Sequence, residues 1–234
     1  MKTSDFIIGA TTAILMGVAG SAGAVTVDFS QSGGAVLVEG QELTDFDFGG
    51  GLSGSITAVG GANEARIFDT TPGSVGTTAA GLGGGGDPDL AGPFTNVNDE
   101  TDVRVFGNAL IIQEDAPTAS AIPDDEAGGG TVTFTFDTAI DLLSLSYLDG
   151  ERGAFVLIDG EQVGEVFSGN DQLFNEVFFG DSALGVTSFT VVYNGSGAIG
   201  AFDAAISAVP APPALPLAIA AFLGLVLVGR RRAA

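Results

Sequence analysis

Four acidic groups carry side chains able to do chemistry: Asp87-Pro88-Asp89, Glu114-Asp115, Asp124-Asp125-Glu126 and Asp149-Gly150-Glu151. Each falls in a predicted loop at a strand end, and loops at one end of a β-sandwich converge, so carboxylates distant in sequence can meet there. Oxygen-only donor sets without nitrogen or sulfur suit Ca2+, which takes about six to eight oxygens in a flexible shell. The candidate metal ligands are therefore Asp87, Asp89, Glu114, Asp115, Asp124, Asp125 and Asp149. The loop is not an EF-hand, because Asp87-Pro88-Asp89 lacks the Gly and the distal Glu of that motif. The plainer reading stays open: Asp favours turns whether or not it binds anything. Paired carboxylates are also sufficient for glycoside hydrolysis, but the sequence prefers no particular pair.

Other chemistries are excluded by composition. The 234 residues contain no Cys and no His. That removes disulfides, zinc–thiolate and iron–sulfur sites, Cys nucleophiles and any Ser–His–Asp triad. The formal net charge is −22, and residues 25–209 hold 28 Asp and Glu against Arg66, Arg104 and Arg152. Nucleic acid is not a partner of such a surface, since phosphate binding needs Lys and Arg. A solvated acidic surface attracts divalent cations and also suits a saline habitat. Gly83 to Gly86 is no phosphate cradle, for it precedes no predicted helix and has no Lys nearby.

The elements that must hold these loops are strands. Thr131 to Phe136 alternates strictly, with Val132, Phe134 and Phe136 on one face and three Thr on the other. Asp141 to Leu148 follows, with Leu143, Leu145 and Tyr147 sharing a face. Ala154 to Ile158 and Gln162 to Phe167 flank Asp159-Gly160, a two-residue hairpin turn whose central positions need positive φ. Thr187 to Tyr193 alternates again. Earlier strands are predicted at Val25 to Phe29, Ala35 to Val38, Leu52 to Val59, Ala65 to Phe68 and Ala109 to Gln113, and a final strand holds Asp203 among Ala and Ile. An inward Asp203 would need a partner or a metal. Asp69 to Asp102 shows little strand signal, and Asn194-Gly195-Ser196 reads as a turn between the last two strands. The fold class is all-β: an antiparallel β-sandwich, jelly-roll-like, with an N-terminal signal helix and a C-terminal transmembrane helix.

Both ends read as addresses. Residues 1–24 form a signal peptide: Lys2, an apolar run from Phe6 to Val18, and the small-x-small site Ala22-Gly23-Ala24, which puts the mature start at Val25. Residues 25–208 are the ectodomain. Residues 209–234 begin with Val209-Pro210-Ala211-Pro212-Pro213, continue as an apolar run from Ala214 to Val228, and end in Arg230-Arg231-Arg232. Those arginines stay cytoplasmic and leave the body of the protein outside.

The tail resembles the VPLPA variant of the PEP-CTERM sorting signals, with Ala211 where the variant has Leu. The resemblance implies a temporary inner-membrane anchor recognised and removed by an exosortase-type membrane protease, and a destination at the cell surface or outside the cell. A plain single-pass anchor is the alternative. The ectodomain resembles a recurrent secreted β-sandwich module of bacteria through Ile67-Phe68-Asp69-Thr70, Asp87-Pro88-Asp89-Leu90, Gly107 to Ile112, Pro123-Asp124-Asp125, Gly129 to Phe134 and Leu148-Asp149. That module is an extracellular building block without an assigned reaction. The functional expectation is a non-catalytic exported surface or matrix protein, rigidified by Ca2+, with extracellular polysaccharide as a candidate partner. The alternative is a carbohydrate-binding module, against which stands the absence of Trp and the presence of only Tyr147 and Tyr193. A glycoside hydrolase using paired carboxylates ranks third.

Overall fold

The computed structural model describes residues 23–78, 86–115, 122–150, 152–166 and 171–207. The signal segment through Ala22, Glu151, and the sorting motif and apolar tail from 208 onward lie outside the described residues. Among the described residues, no helix is long and apolar enough to cross a membrane.

The first half of the chain supplies β1 (Val25–Val27), β2 (Gln31–Ser32), β3 (Ala35–Val36), β4 (Asp45–Asp47), β5 (Ser53–Val59), β6 (Ala65–Asp69), β7 (Phe94–Asn96), β8 (Asp99–Arg104) and β9 (Asn108–Ile112). The second half supplies β10 (Gly130–Leu148), β11 (Ala154–Ile158), β12 (Glu161–Val166), β13 (Leu173–Phe178), β14 (Val186–Tyr193) and β15 (Ala198–Ile206). Pairing is antiparallel except between β13 and β7. The fold is all-β and sandwich-like.

β10 organises the molecule. The two stretches predicted around Thr131 and Leu143 are one strand of 19 residues. Its first part lies between β5 and β14, and its second part lies between β13 and β15. The ladder with β14 shifts register between Thr135 and Ile140, where the strand passes from one set of neighbours to the other. Such extra residues bend a strand and raise its twist. The first part therefore belongs to the run β4-β5-β10-β14-β11-β12, and the second to β1-β15-β10-β13-β7-β8.

The inner faces meet in one core. Phe134 stacks on Phe189 at 4.7 Å and meets Phe202 of β15 edge-on at 5.3 Å, which ties the two runs together. Val132, Phe134 and Phe136 are buried as their alternation predicts. One expectation fails here. Leu143 is exposed, while Leu142, Leu145 and Tyr147 are buried, because a register shift against β15 between Leu142 and Ser144 changes the phase of the alternation. The Asp159-Gly160 turn forms as expected, with φ of 52° and 81° and Ile158 opposite Glu161.

A second apolar cluster covers part of the outer face of the β13–β10–β15 region: Phe68, Leu90, Phe94, Ile111, Leu148 and Phe174, with Phe106 packed against it. Its Leu90 ends the helical turn Pro88–Leu90, and this buried anchor fixes the first acidic loop.

Candidate functional site

Three loops bring the acidic groups together. Asp87 caps the turn Pro88–Leu90 and accepts the Asp89 N–H at 2.8 Å. Glu114 and Asp115 leave the end of β9. The segment Ile122 to Glu126 runs alongside them: the Glu114 N–H donates to the Asp124 carbonyl at 3.0 Å, and the Glu126 N–H donates to the Ile112 carbonyl at 2.9 Å. Gln113 pairs with Asp125 across this short ladder.

The carboxyl groups then meet as two pairs. Asp125 is buried, with 5% of its surface exposed, and its carboxyl lies within hydrogen-bonding reach of Asp87. Burial pushes its carboxyl well above the ordinary carboxylate range, and the bond and charge of Asp87 push the same way. Asp124 is raised to about 6, first by burial, then by the charges of Glu114 and Asp87 and a hydrogen bond with Glu114. Asp115 adds a further repulsion. Of the predicted ligands, Asp87 is thus paired with Asp125 and Glu114 with Asp124, and Asp115 lies close enough to act on Asp124. Among the described residues, no three acidic side chains converge closely enough to hold a metal ion as they stand.

Asp149 takes a different place. It directly follows β10 with φ of 51°, is buried, and donates its N–H to the Leu173 carbonyl at 2.9 Å. Its link to the cluster is electrostatic, through Tyr147. Burial pushes the Tyr147 phenol up, and Tyr193, Asp125 and Asp149 add to the shift.

The turn at Asn194-Gly195-Ser196 closes the cluster from the other side. Ser196 donates its hydroxyl to Asp125 at 2.8 Å, and the Gly197 N–H donates to the same carboxylate oxygen. Tyr147 Oη donates to the Ser196 carbonyl at 3.2 Å. Gly197 has φ of 148°, and a Cβ there would land on the Tyr147 hydroxyl, so only Gly fits this approach. Beside it, the buried Tyr193 hydroxyl has no hydrogen-bond partner among the described residues. Its phenol is pushed up by burial and by the Asp125 charge. These second partners of Asp125 carry no sequence signal beyond a turn motif.

A groove of about 360 Å³ lies elsewhere, on the outer face of β13, β10, β15 and β1. Here the structure answers the Asp203 question: the side chain faces outward, accepting from Thr26 Oγ1 at 2.5 Å and Ser144 Oγ at 2.9 Å. Arg104 forms one wall. Its guanidinium bonds Asp102 through Nε at 3.0 Å and Nη2 at 2.8 Å, reaches Glu176 at 3.0 Å, and lies 4.7 Å above the Phe174 ring. No protein-family model matches this chain, and no curated protein does. The two sites must therefore be read from their own chemistry. The first concentrates carboxylates in partial burial. The second offers fixed acceptors and one fixed donor to a ligand of modest size.

Proposed function

We propose that this chain is a non-catalytic exported protein whose acidic loop cluster binds Ca2+, and that it acts as a rigid surface or matrix module. The observation that carries the reading is the contact of Asp87 with Asp125 and of Glu114 with Asp124. Two carboxyl pairs from three loops lie near one another, and like charges so close resist joint ionisation. At neutral pH the arrangement is relieved either by retained protons or by a cation. Ca2+ fits the donor set, because hard oxygens alone are on offer and loop carboxylates can adjust to its flexible shell. A domain without disulfides gains stability from an ion that binds only its native form.

Export and sorting rest on the two ends: the Ala22-Gly23-Ala24 site before Val25, and the Val209-Pro210-Ala211-Pro212 motif with its apolar run and Arg230, Arg231 and Arg232. In this reading the precursor is held in the inner membrane by its C-terminal helix, processed by an exosortase-type protease, and delivered to the surface or the extracellular matrix. The sandwich is of jelly-roll type, supported by one long strand shared between two runs of neighbours.

Thermal unfolding tests the calcium reading. Millimolar Ca2+ raises the melting temperature of the full chain above its value in EDTA by several degrees, and Mg2+ at matched ionic strength does not. An equal response to every salt would reduce the cluster to a solvated acidic surface.

A further inference from the structure

The sheet face that carries the groove has a regular construction. One row across the strands reads Phe178, Ser144, Asp203 and Thr26; the next reads Glu176, Ser146 and Ala201. Paired residues of an antiparallel ladder project from the same face, and neighbouring strands are about 4.8 Å apart. The floor is therefore made of small side chains, Ser144, Ser146 and Ala201. The groups that rise from it are longer and polar. Arg104, Val105 and Phe106 cross at one side and form the wall.

The polar groups are held before any ligand arrives. Asp203 is fixed by two hydroxyls, and Arg104 is fixed by Asp102, Glu176 and the Phe174 ring. Pre-ordered groups lose little freedom on binding. Charged acceptors outnumber charged donors: Asp28, Glu176 and Asp203 face the groove, with Arg104 the only cation lining it among the described residues. A ligand must therefore donate many hydrogen bonds and carry no negative charge. One further feature selects among such ligands. Phe178, which pairs with the groove-lining Ser144 on the same sheet face, is 74% exposed and presents an aromatic ring to water one strand from the groove floor. Flat aromatic rings cover the apolar C–H face of a sugar, while the hydroxyls at its rim bond to carboxylates and Arg.

We infer that this groove binds a neutral saccharide, with Phe178 as the stacking platform and Asp28, Glu176, Asp203 and Arg104 as its hydrogen-bonding partners. Both Tyr residues are buried, so the aromatic platform expected of a sugar site is supplied here by Phe. Uronic-acid polymers are repelled by the excess of carboxylates. The site shares no residue with the acidic loop cluster and stands apart from the calcium reading.

A glycan array carrying neutral hexose, N-acetylhexosamine and uronate oligosaccharides tests it with the full chain. Neutral glycans are retained, and Phe178→Ala weakens them at least tenfold with an unchanged melting temperature. Glu176→Gln, which keeps the size of the side chain, weakens them severalfold. A blank array, a preference for uronates, or binding that Phe178→Ala leaves untouched would overturn the inference. So would Tb3+ luminescence lost in Asp203→Asn, which would make the groove a cation site. A blank array from a protein whose melting still responds to Ca2+ removes only the groove. A flat calcium response with neutral glycans retained removes only the cluster.

Discussion

Asp125 carries a carboxylate into a place that water hardly reaches. Three groups meet it: the Ser196 hydroxyl and the Gly197 N–H favour its charge, while Asp87 opposes it. The two substitutions at this position should therefore differ. Asp125→Ala strips the Gly197 N–H of its acceptor, and a buried donor left unmet costs about 1–3 kcal/mol. Urea denaturation should show a loss of that size. Asp125→Asn keeps an acceptor for Gly197 and removes the repulsion from Asp87, so its stability in EDTA should match or exceed that of the parent, whereas its response to Ca2+ should disappear. The pH dependence follows from the same groups. Asp124 and Asp125 have folded pKa values raised above the ordinary 3.8, Asp124 to about 6. Between those values the folded chain holds protons that the unfolded chain has released. Their contribution is complete below the unfolded pKa and is lost as pH rises through the folded one. In EDTA, melting temperature should thus climb as pH falls from 7.5 toward 5. Ca2+ competes with those protons, so its added stabilisation should shrink over the same interval.

The strands divide by how strongly a buried face marks them. Val132-Thr133-Phe134-Thr135-Phe136 alternates because one face meets Phe189 and Phe202 and the other meets solvent, and the pattern was legible in the sequence. β8 was not legible. Asp99-Glu100-Thr101-Asp102-Val103-Arg104 is an edge strand, and charged edges are what prevents sheets from pairing further. β13 was missed for a related reason: Leu173 to Phe178 buries Phe174 in the second cluster and leaves Phe178 in water, so no single face is apolar. Leu143 misled because a bulge changes phase without changing composition. The acidic loops were legible as groups, but their pairing depends on β9 and the Pro123 segment lying side by side, which no local pattern encodes. The groove was half visible, for Leu145 and Tyr147 alternate with Ser144 and Ser146. Its wall came from the unread β8. Burial should govern the energetics of these strands. Phe202→Ala, which empties the junction between the two runs, should cost about 3–5 kcal/mol. Phe178→Ala should stay within about 0.5 kcal/mol, as exposed positions do. Chemical denaturation of both variants checks the contrast.

On the scale of the whole molecule, charge is the dominant feature. Residues 25–208 are strongly acidic, and a surface of one sign keeps copies apart. If the tail is a sorting signal, replacing Val209 and Pro210 by Ala should leave an uncleaved, membrane-retained precursor, and mass spectrometry of the released and membrane fractions should report it. Retention of the parental distribution would favour a plain anchor. The central claim concerns the ion itself. A crystal structure of the protein grown with CaCl2, with diffraction recorded at a long wavelength where Ca2+ scatters anomalously, tests it most directly. The account predicts an anomalous peak among Asp87, Glu114, Asp124 and Asp125, bounded by oxygen ligands about 2.3–2.6 Å away. Carboxyl pairs that keep their mutual hydrogen bonds in that crystal, with no peak between the three loops, would contradict it.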